Sequence, residues 1–332
     1  MLRGVEPRVL ECPRCGAPLP RRAALVRVTC EYCKSEIIFD RLPVKASDYR
    51  RLLESYLSDE PADVTLAGFR LRLLGRLAVG HSSDVFLGTR AARLTERLLL
   101  KVLRSTDDEA LLRNEQSVLA KLAASRERGT PYFTSLVPQP AFSGVLDGPG
   151  FPRHFAAAFR QPPGLSHTLE QLREQFPAGA DPRHAIWIWR RALELLDWLQ
   201  RSGVVHGAIL PAHILLDARE HSLGLVGFSC AGPAGAPLAA LDPQHADFYP
   251  SPAARQALSP AGDSLMLARC IAHALGGEPT RLPSHVPAPL AKLVTEQAAG
   301  AAALAPLELS RRVSDVAREC FGSPKFVKLE LL

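Results

Sequence analysis

The sequence predicts an α+β chain of two units: a small β-rich module stapled by cysteines, then a larger domain whose strands precede its helices. Three observations carry this. Two C-x-x-C pairs, Cys12 with Cys15 and Cys30 with Cys33, lie near the N-terminus with fourteen residues between them. Next, the apolar runs Leu74–Leu87 and Leu98–Leu103 read as strands. Further on, Trp187–Leu199 repeats its apolar residues at helical spacing. At 332 residues the chain can bury a large core beside a small stapled module, and with aromatics at 6% that core is filled mainly by Leu, Ala and Val.

The cysteine pairs come first. Each C-x-x-C presents two thiolates from one tight turn, and two such turns supply the tetrahedral sulfur set of a structural zinc ion. The spacing leaves room for a short hairpin with Leu25–Thr29 and Glu36–Phe39 as strands. Two disulfides or a redox C-x-x-C are the competing readings. No secretory signal precedes Cys12, and Pro13 with β-rich surroundings does not give the strand-helix setting of a redox motif. Residues 1–45 are therefore expected to be a zinc ribbon, with Zn²⁺ held by Cys12, Cys15, Cys30 and Cys33. Four sulfurs close the coordination sphere, so the metal is expected to be structural. Cys230, Cys270 and Cys320 are scattered and read as buried thiols.

Charge bears on what such a module binds. Arg3, Arg8, Arg14, Arg21, Arg22 and Arg27 are interleaved with Glu6, Glu11, Glu31, Glu36 and Asp40, and only Tyr32 and Phe39 could stack a base. Protein docking is the expectation, ahead of nucleic acid. The net charge of +6 is likewise spread over mixed signs and requires no acidic partner.

A linker, 46–65, follows, with Asp48–Ser58 read as a short amphipathic helix on Tyr49, Leu52, Leu53 and Tyr56. Past it, Leu74–Leu87 reads as strand, tight turn at Gly80, and strand. Lys101 sits inside the apolar strand Leu98–Leu103, which is costly unless its ammonium finds a partner or snorkels to water. The forty basic residues are mostly arginine, which makes this lysine conspicuous. An amphipathic run, Asp107–Leu122, comes next, and the helix at Trp187–Leu199 leads through Ser202–Val205 into His206-Gly207-Ala208-Ile209-Leu210-Pro211-Ala212-His213-Ile214-Leu215-Leu216-Asp217, then Leu225-Val226-Gly227-Phe228-Ser229.

That last stretch resembles the catalytic and metal-binding loops of protein kinases, whose signatures are H-R-D-L-x-x-x-N and D-F-G, with the chemistry removed. Ala208 stands at the catalytic Asp, His213 at the metal-binding Asn and Gly227 at the metal-binding Asp. The strand-turn-strand around Gly80 resembles the glycine-rich loop with Ala78 and Ser83 in place of the outer glycines. Lys101 and Glu115 match the kinase lysine and its helix glutamate; with Gly80 and Val85 they make the expected nucleotide positions. Tyr249–Ala253 resembles the A-P-E signature, Asp263–Ala268 the start of the buried helix behind it, and the likeness runs over about residues 66 to 322.

The resemblance implies a two-lobed protein kinase-like domain, 66–332, with a β-rich N-lobe at 66–161 and a helical C-lobe at 162–332. It implies a pseudokinase. From Gln200 to Leu241 the only acids are Asp217 and Glu220, both in the expected turn of the hairpin between Ile214 and Leu225. Loss of a general base alone costs about 10²–10⁴-fold, and loss of the metal removes the main stabiliser of transition-state charge. His206 matches the loop-bracing histidine, and His213 reads as structural rather than as a zinc or copper ligand. The kinase ion pair between the A-P-E glutamate and a late arginine is expected to be absent on both sides, at Ala253 and Ala305. Between Cys230 and Phe248 there is no Ser, Thr or Tyr to phosphorylate. Pro162 and Pro163 fall at the expected hinge and remove backbone donors there.

The expected function is a scaffold or regulatory protein acting through protein partners, with ATP bound weakly and without Mg²⁺ if at all. An unconventional ATP-dependent Ser/Thr protein kinase and a zinc-ribbon nucleic-acid-binding regulator are the alternatives. No apolar run reaches bilayer length, so a soluble, cytoplasmic protein is expected, and the Arg, Ala and Leu bias suggests a GC-rich bacterial genome.

Overall fold

The computed structural model describes residues 62–331 apart from 81, 91–92, 152, 161–163, 280 and 301–303, and before them residues 15, 17, 27–32, 34 and 36–38. Cys12, Cys33 and the expected linker helix at 48–58 lie outside the described residues. In the N-terminal module, β1 (Arg27–Thr29) and β2 (Glu36–Ile38) pair antiparallel with Val28 opposite Ile37, the hairpin expected from the cysteine spacing.

Six strands then close into an antiparallel barrel. They are β3 (Ala62–Leu66), β4 (Phe69–Val79), β5 (Ser83–Arg90), β6 (Arg93–Leu103), β7 (Gln139–Asp147) and β8 (Phe155–Arg160), in the order β3-β4-β5-β6-β8-β7. Here the sequence reading is corrected: β3 lies almost wholly in the stretch assigned to the linker. Thr65 and Leu66 register with Asp147 and Leu146 on β7, so this extra strand joins the sheet to itself and removes its edges. Ala67 and Gly68, with φ of 50° and 79°, make the two-residue turn into β4, a geometry whose twist suits hairpins.

Side-chain alternation decides what each strand face meets. Leu98, Leu100 and Val102 of β6 fill the barrel with Val64, Leu66, Leu71, Leu73, Leu146, Ala156 and Ala158. Leu103, Phe155, Ala157 and Phe159 point the other way, into a second and larger core. Lys101 therefore lies on the outer face of β6, between Val85 of β5 and Ala157 of β8. Against that face packs α1 (Glu109–Ala123), whose buried residues Leu112, Glu115, Val118, Leu119 and Leu122 recur every three or four positions. Glu115 is thus on the inward stripe of its helix.

The helical lobe is organised by α4. The short α2 (Thr130–Phe133) precedes it, and α3 (Leu169–Gln175) starts from β9 (His167–Thr168) with Thr168 and Gln171 in a reciprocal capping box. In α4 (Pro182–Arg201), Asp181 caps the N-terminus, Pro182 takes the first turn, and Trp189 and Trp198 are fully buried. The Trp198 indole N–H donates to the Thr130 hydroxyl at 3.1 Å, which satisfies a polar atom in the core. The hairpin β10 (Ile214–Asp217) and β11 (Ser222–Leu225) pairs as expected, and the Asp217 carboxylate accepts from the backbone of Arg219 and Glu220 in its turn. Around α4 pack α5 (Pro260–Ala274) and α7 (Pro306–Phe321), with α6 (Ala288–Ala298) against both of those. Ala253 and Ala305 are both exposed, so neither position strands a buried charge. Among the described residues no helix is long and apolar enough to cross a membrane.

Candidate functional site

The outward lysine of β6 and the inward glutamate of α1 meet. Lys101 Nζ donates to both carboxylate oxygens of Glu115 at 2.7 Å, with Glu115 buried and the lysine mostly so. The same carboxylate accepts from the backbone N–H of Phe228 at 3.1 Å. Next to it on α1, Asn114 donates to the carbonyls of Ser229 and Ala231 at 2.9 and 2.8 Å. Two consecutive residues of α1 thereby clamp the segment after Gly227, a role of Asn114 that sequence reading missed.

The loop at His206 is held from below. The backbone N–H groups of His206 and Gly207 donate to the two oxygens of Asp263 on α5 at 2.7 and 2.9 Å. Burial pushes the Asp263 carboxyl up to about 7 against these two donors. His206 is fully buried, its Nε2 bonded to the Val226 carbonyl at 3.1 Å, and desolvation pulls it down to about 3. It is neutral and braces the loop to the strand that ends at Leu225.

Ala208, His213 and Gly227 come together. Ala208 is buried, and its carbonyl accepts from His213 Nδ1 at 2.8 Å. Burial lowers the His213 imidazole below its ordinary value. Gly227 has φ of 83°, and a β-carbon built on it would lie 2.7 Å from Cε1, Nδ1 and Nε2 of His213. The imidazole fills the space where a side chain at 227 would begin. A methyl, an imidazole and a hydrogen stand at these three positions.

Gly207 is the second residue that sequence reading passed over, although it stands at the arginine of the H-R-D signature. Its φ is 73°, and a β-carbon there would meet Leu258 Cδ2 at 2.6 Å and the Cys230 carbonyl at 3.1 Å. The segment after Phe228 lies close over it, bridged through Val205 and Gly232. Asp242 is paired with His245 at 2.9 Å and Asp247 is exposed, whereas the ion pair of Lys101 is with Glu115.

At the tip of the β4–β5 hairpin, the Gly80 N–H donates to the Ser83 carbonyl at 2.9 Å, and a β-carbon on Gly80 would meet that oxygen at 2.8 Å. The turn closes on itself through the backbone donor of Gly80. Val85 is half-buried opposite Lys101.

In the N-terminal module, Cys15 Sγ and Cys30 Sγ stand 3.7 Å apart. A disulfide needs about 2.05 Å. Two thiolates at a Zn–S distance of about 2.3 Å on adjacent corners of a tetrahedron would stand about 3.8 Å apart. The Lys34 N–H closes the second knuckle onto the Cys30 carbonyl at 2.9 Å. The donor set fits zinc on these two residues, and the other two expected ligands are outside the described residues.

Comparison with known proteins bears on the fold. No protein-family model matches the chain, and no curated protein matches it. Among solved structures it is similar to a rhoptry kinase from Toxoplasma gondii, with a TM-score of 0.58 and 17% identity over 78% of this chain and 83% of that one. It is similar to the BubR1 kinase domain, with a TM-score of 0.56 and 13% identity over 85% and 95% of the two chains. The Mycobacterium tuberculosis PknI kinase domain gives 0.54 and 18% over 76% and 97%.

Proposed function

We propose, on the premise that this chain has the protein kinase-like fold, that it is a pseudokinase: a scaffold or regulatory protein that acts through protein contacts. One observation carries the reading. His213 is seated on Gly227, so the place from which a carboxylate would hold magnesium is filled by a neutral imidazole bonded to Ala208. Phosphoryl transfer depends almost wholly on positioning and on metal-borne charge stabilisation, and the residues at these positions offer neither a base nor hard oxygen ligands. The Lys101–Glu115 pair, by contrast, is intact and tied to Phe228, which supports a role for the pair in holding the lobes in one closed arrangement.

Zinc in the N-terminal module belongs to the same proposal, held by Cys12, Cys15, Cys30 and Cys33. Bound there it supplies folding energy to a hairpin too small to hold its own core. Metal analysis is expected to find one zinc per chain, lost in Cys15→Ser.

Thermal denaturation with ATP, with and without magnesium, tests the catalytic reading. The expected result is no magnesium-dependent rise in Tm. A large magnesium-dependent stabilisation, or ATP consumption that disappears in Lys101→Ala, would overturn it in favour of an unconventional kinase.

A further inference from the structure

The second cysteine knuckle does not stand apart from the larger domain. Tyr32, between Cys30 and Cys33, places its hydroxyl 2.6 Å from His221 Nδ1 in the β10–β11 turn. Its ring meets Phe326, beyond α7, edge-on at 5.8 Å. His221 in turn stacks on Trp187 of α4 at 4.5 Å and 8°, and meets Phe326 at 4.8 Å. Beside this, Glu31 accepts from Arg191 of α4 at 2.8 Å, and Arg191 also holds Glu194 at 3.0 Å. Two neighbouring residues of one knuckle thus reach α4, the hairpin turn and the C-terminal segment at once.

The receiving face is built for a partner. His221 is buried yet has φ of 45°, a left-handed conformation that residues other than glycine keep only when their surroundings over-determine it. The Tyr32 hydroxyl and His221 Nδ1 share one hydrogen bond of 2.6 Å within this buried face. A buried imidazole left without its partner is costly, so this turn is matched to an occupied state.

We propose that the second knuckle is a metal-gated brace of the C-lobe: with the thiolates held by zinc, Glu31 and Tyr32 lock α4, the β10–β11 turn and the C-terminal segment together, and loss of the metal releases that face. The occupant is the chain's own residues 31 and 32. The metal part rests on the zinc reading above; the docking part rests on the contacts alone.

Hydrogen exchange on the full chain separates the two. Chelation of zinc is expected to raise exchange at least tenfold in peptides covering 184–191, 219–223 and 324–329, while 98–103 in β6 stays protected. Tyr32→Ala, with zinc still bound, is expected to raise the same three peptides, and Tyr32→Phe to raise them less, since it keeps the ring contacts and loses one hydrogen bond. Unchanged exchange in these peptides after zinc has left overturns the gating. Unchanged exchange in Tyr32→Ala overturns the docking. Loss of protection in β6 as well would mean that the metal holds the whole fold, and also overturns the proposal. A protein purified without zinc overturns the gating together with the zinc reading, and leaves docking to be judged by Tyr32→Ala.

Discussion

The imidazole of His213 lies against the α-carbon of Gly227, with three ring atoms 2.7 Å from where a β-carbon would stand. The two residues fit each other: the small residue at 227 makes room for the ring, and the ring fills the space beside it. Changing one without the other is therefore expected to fail.

Gly227→Asp is expected to destabilise the protein by about 2 kcal/mol or more, from overpacking and from a left-handed backbone that an L side chain resists. Adding His213→Asn is expected to recover part of that loss by vacating the space. Urea denaturation of the three variants checks this, and equal stability of single and double mutants would refute the coupling.

The Lys101–Glu115 pair gives a second test. Removing one member of a buried pair costs about 3–5 kcal/mol, because the other charge is left behind, whereas replacing both can be nearly neutral. Lys101 keeps 18% of its side-chain surface exposed, so the lower end applies to loss of Glu115. Glu115→Leu is expected to be clearly less stable than Lys101→Met/Glu115→Leu together. A double-mutant cycle by chemical denaturation reads the difference.

Gly207→Arg is expected to lower stability by about 2 kcal/mol, since the site has no room beside Leu258 and the backbone there is left-handed. The measurement is the shift in Tm. An unchanged Tm would mean that the segment over Gly207 moves aside at little cost.

Buried histidines set a pH dependence. Burial holds His206 and His221 at about 3 and His273 at about 4, below the unfolded value near 6.5, so unfolding takes up protons as pH falls below that value. Their contribution is fully present above pH 6.5 and is lost on acidification toward the folded values. Asp263 works in the opposite sense: raised to about 7, it is protonated in the folded state and ionised in the unfolded state between about pH 4 and 7. Stability is therefore expected to rise with pH between 5 and 6.5, and Asp263→Asn to steepen that rise while lowering stability throughout. Urea titrations across this window measure both slopes.

Much of this was legible before any coordinates. Lys101 announced itself as a charge inside an apolar strand, and the same alternation that buries Leu100 and Val102 in the barrel turns it outward to Glu115. The turn acids Asp217 and Glu220 and the β10–β11 hairpin were likewise readable from local pattern, whereas the bracing role of His206 came from the family resemblance. Strand β3 was not, because five residues beside a proline carry too little periodicity to tell a strand from a linker, and only pairing with β7 at long sequence separation makes it one.

By itself, then, the sequence determined which residue types fill each position of the site, since those are covalent facts that no packing alters. It also determined the strand and helix faces, because periodicity follows from backbone geometry. Tertiary structure alone decided that His213 occupies the space above Gly227, that Gly207 lies under Leu258, and that Tyr32 reaches His221 across 189 positions of chain. Such contacts depend on loop closure and steric fit between distant segments, and neither is written in local pattern.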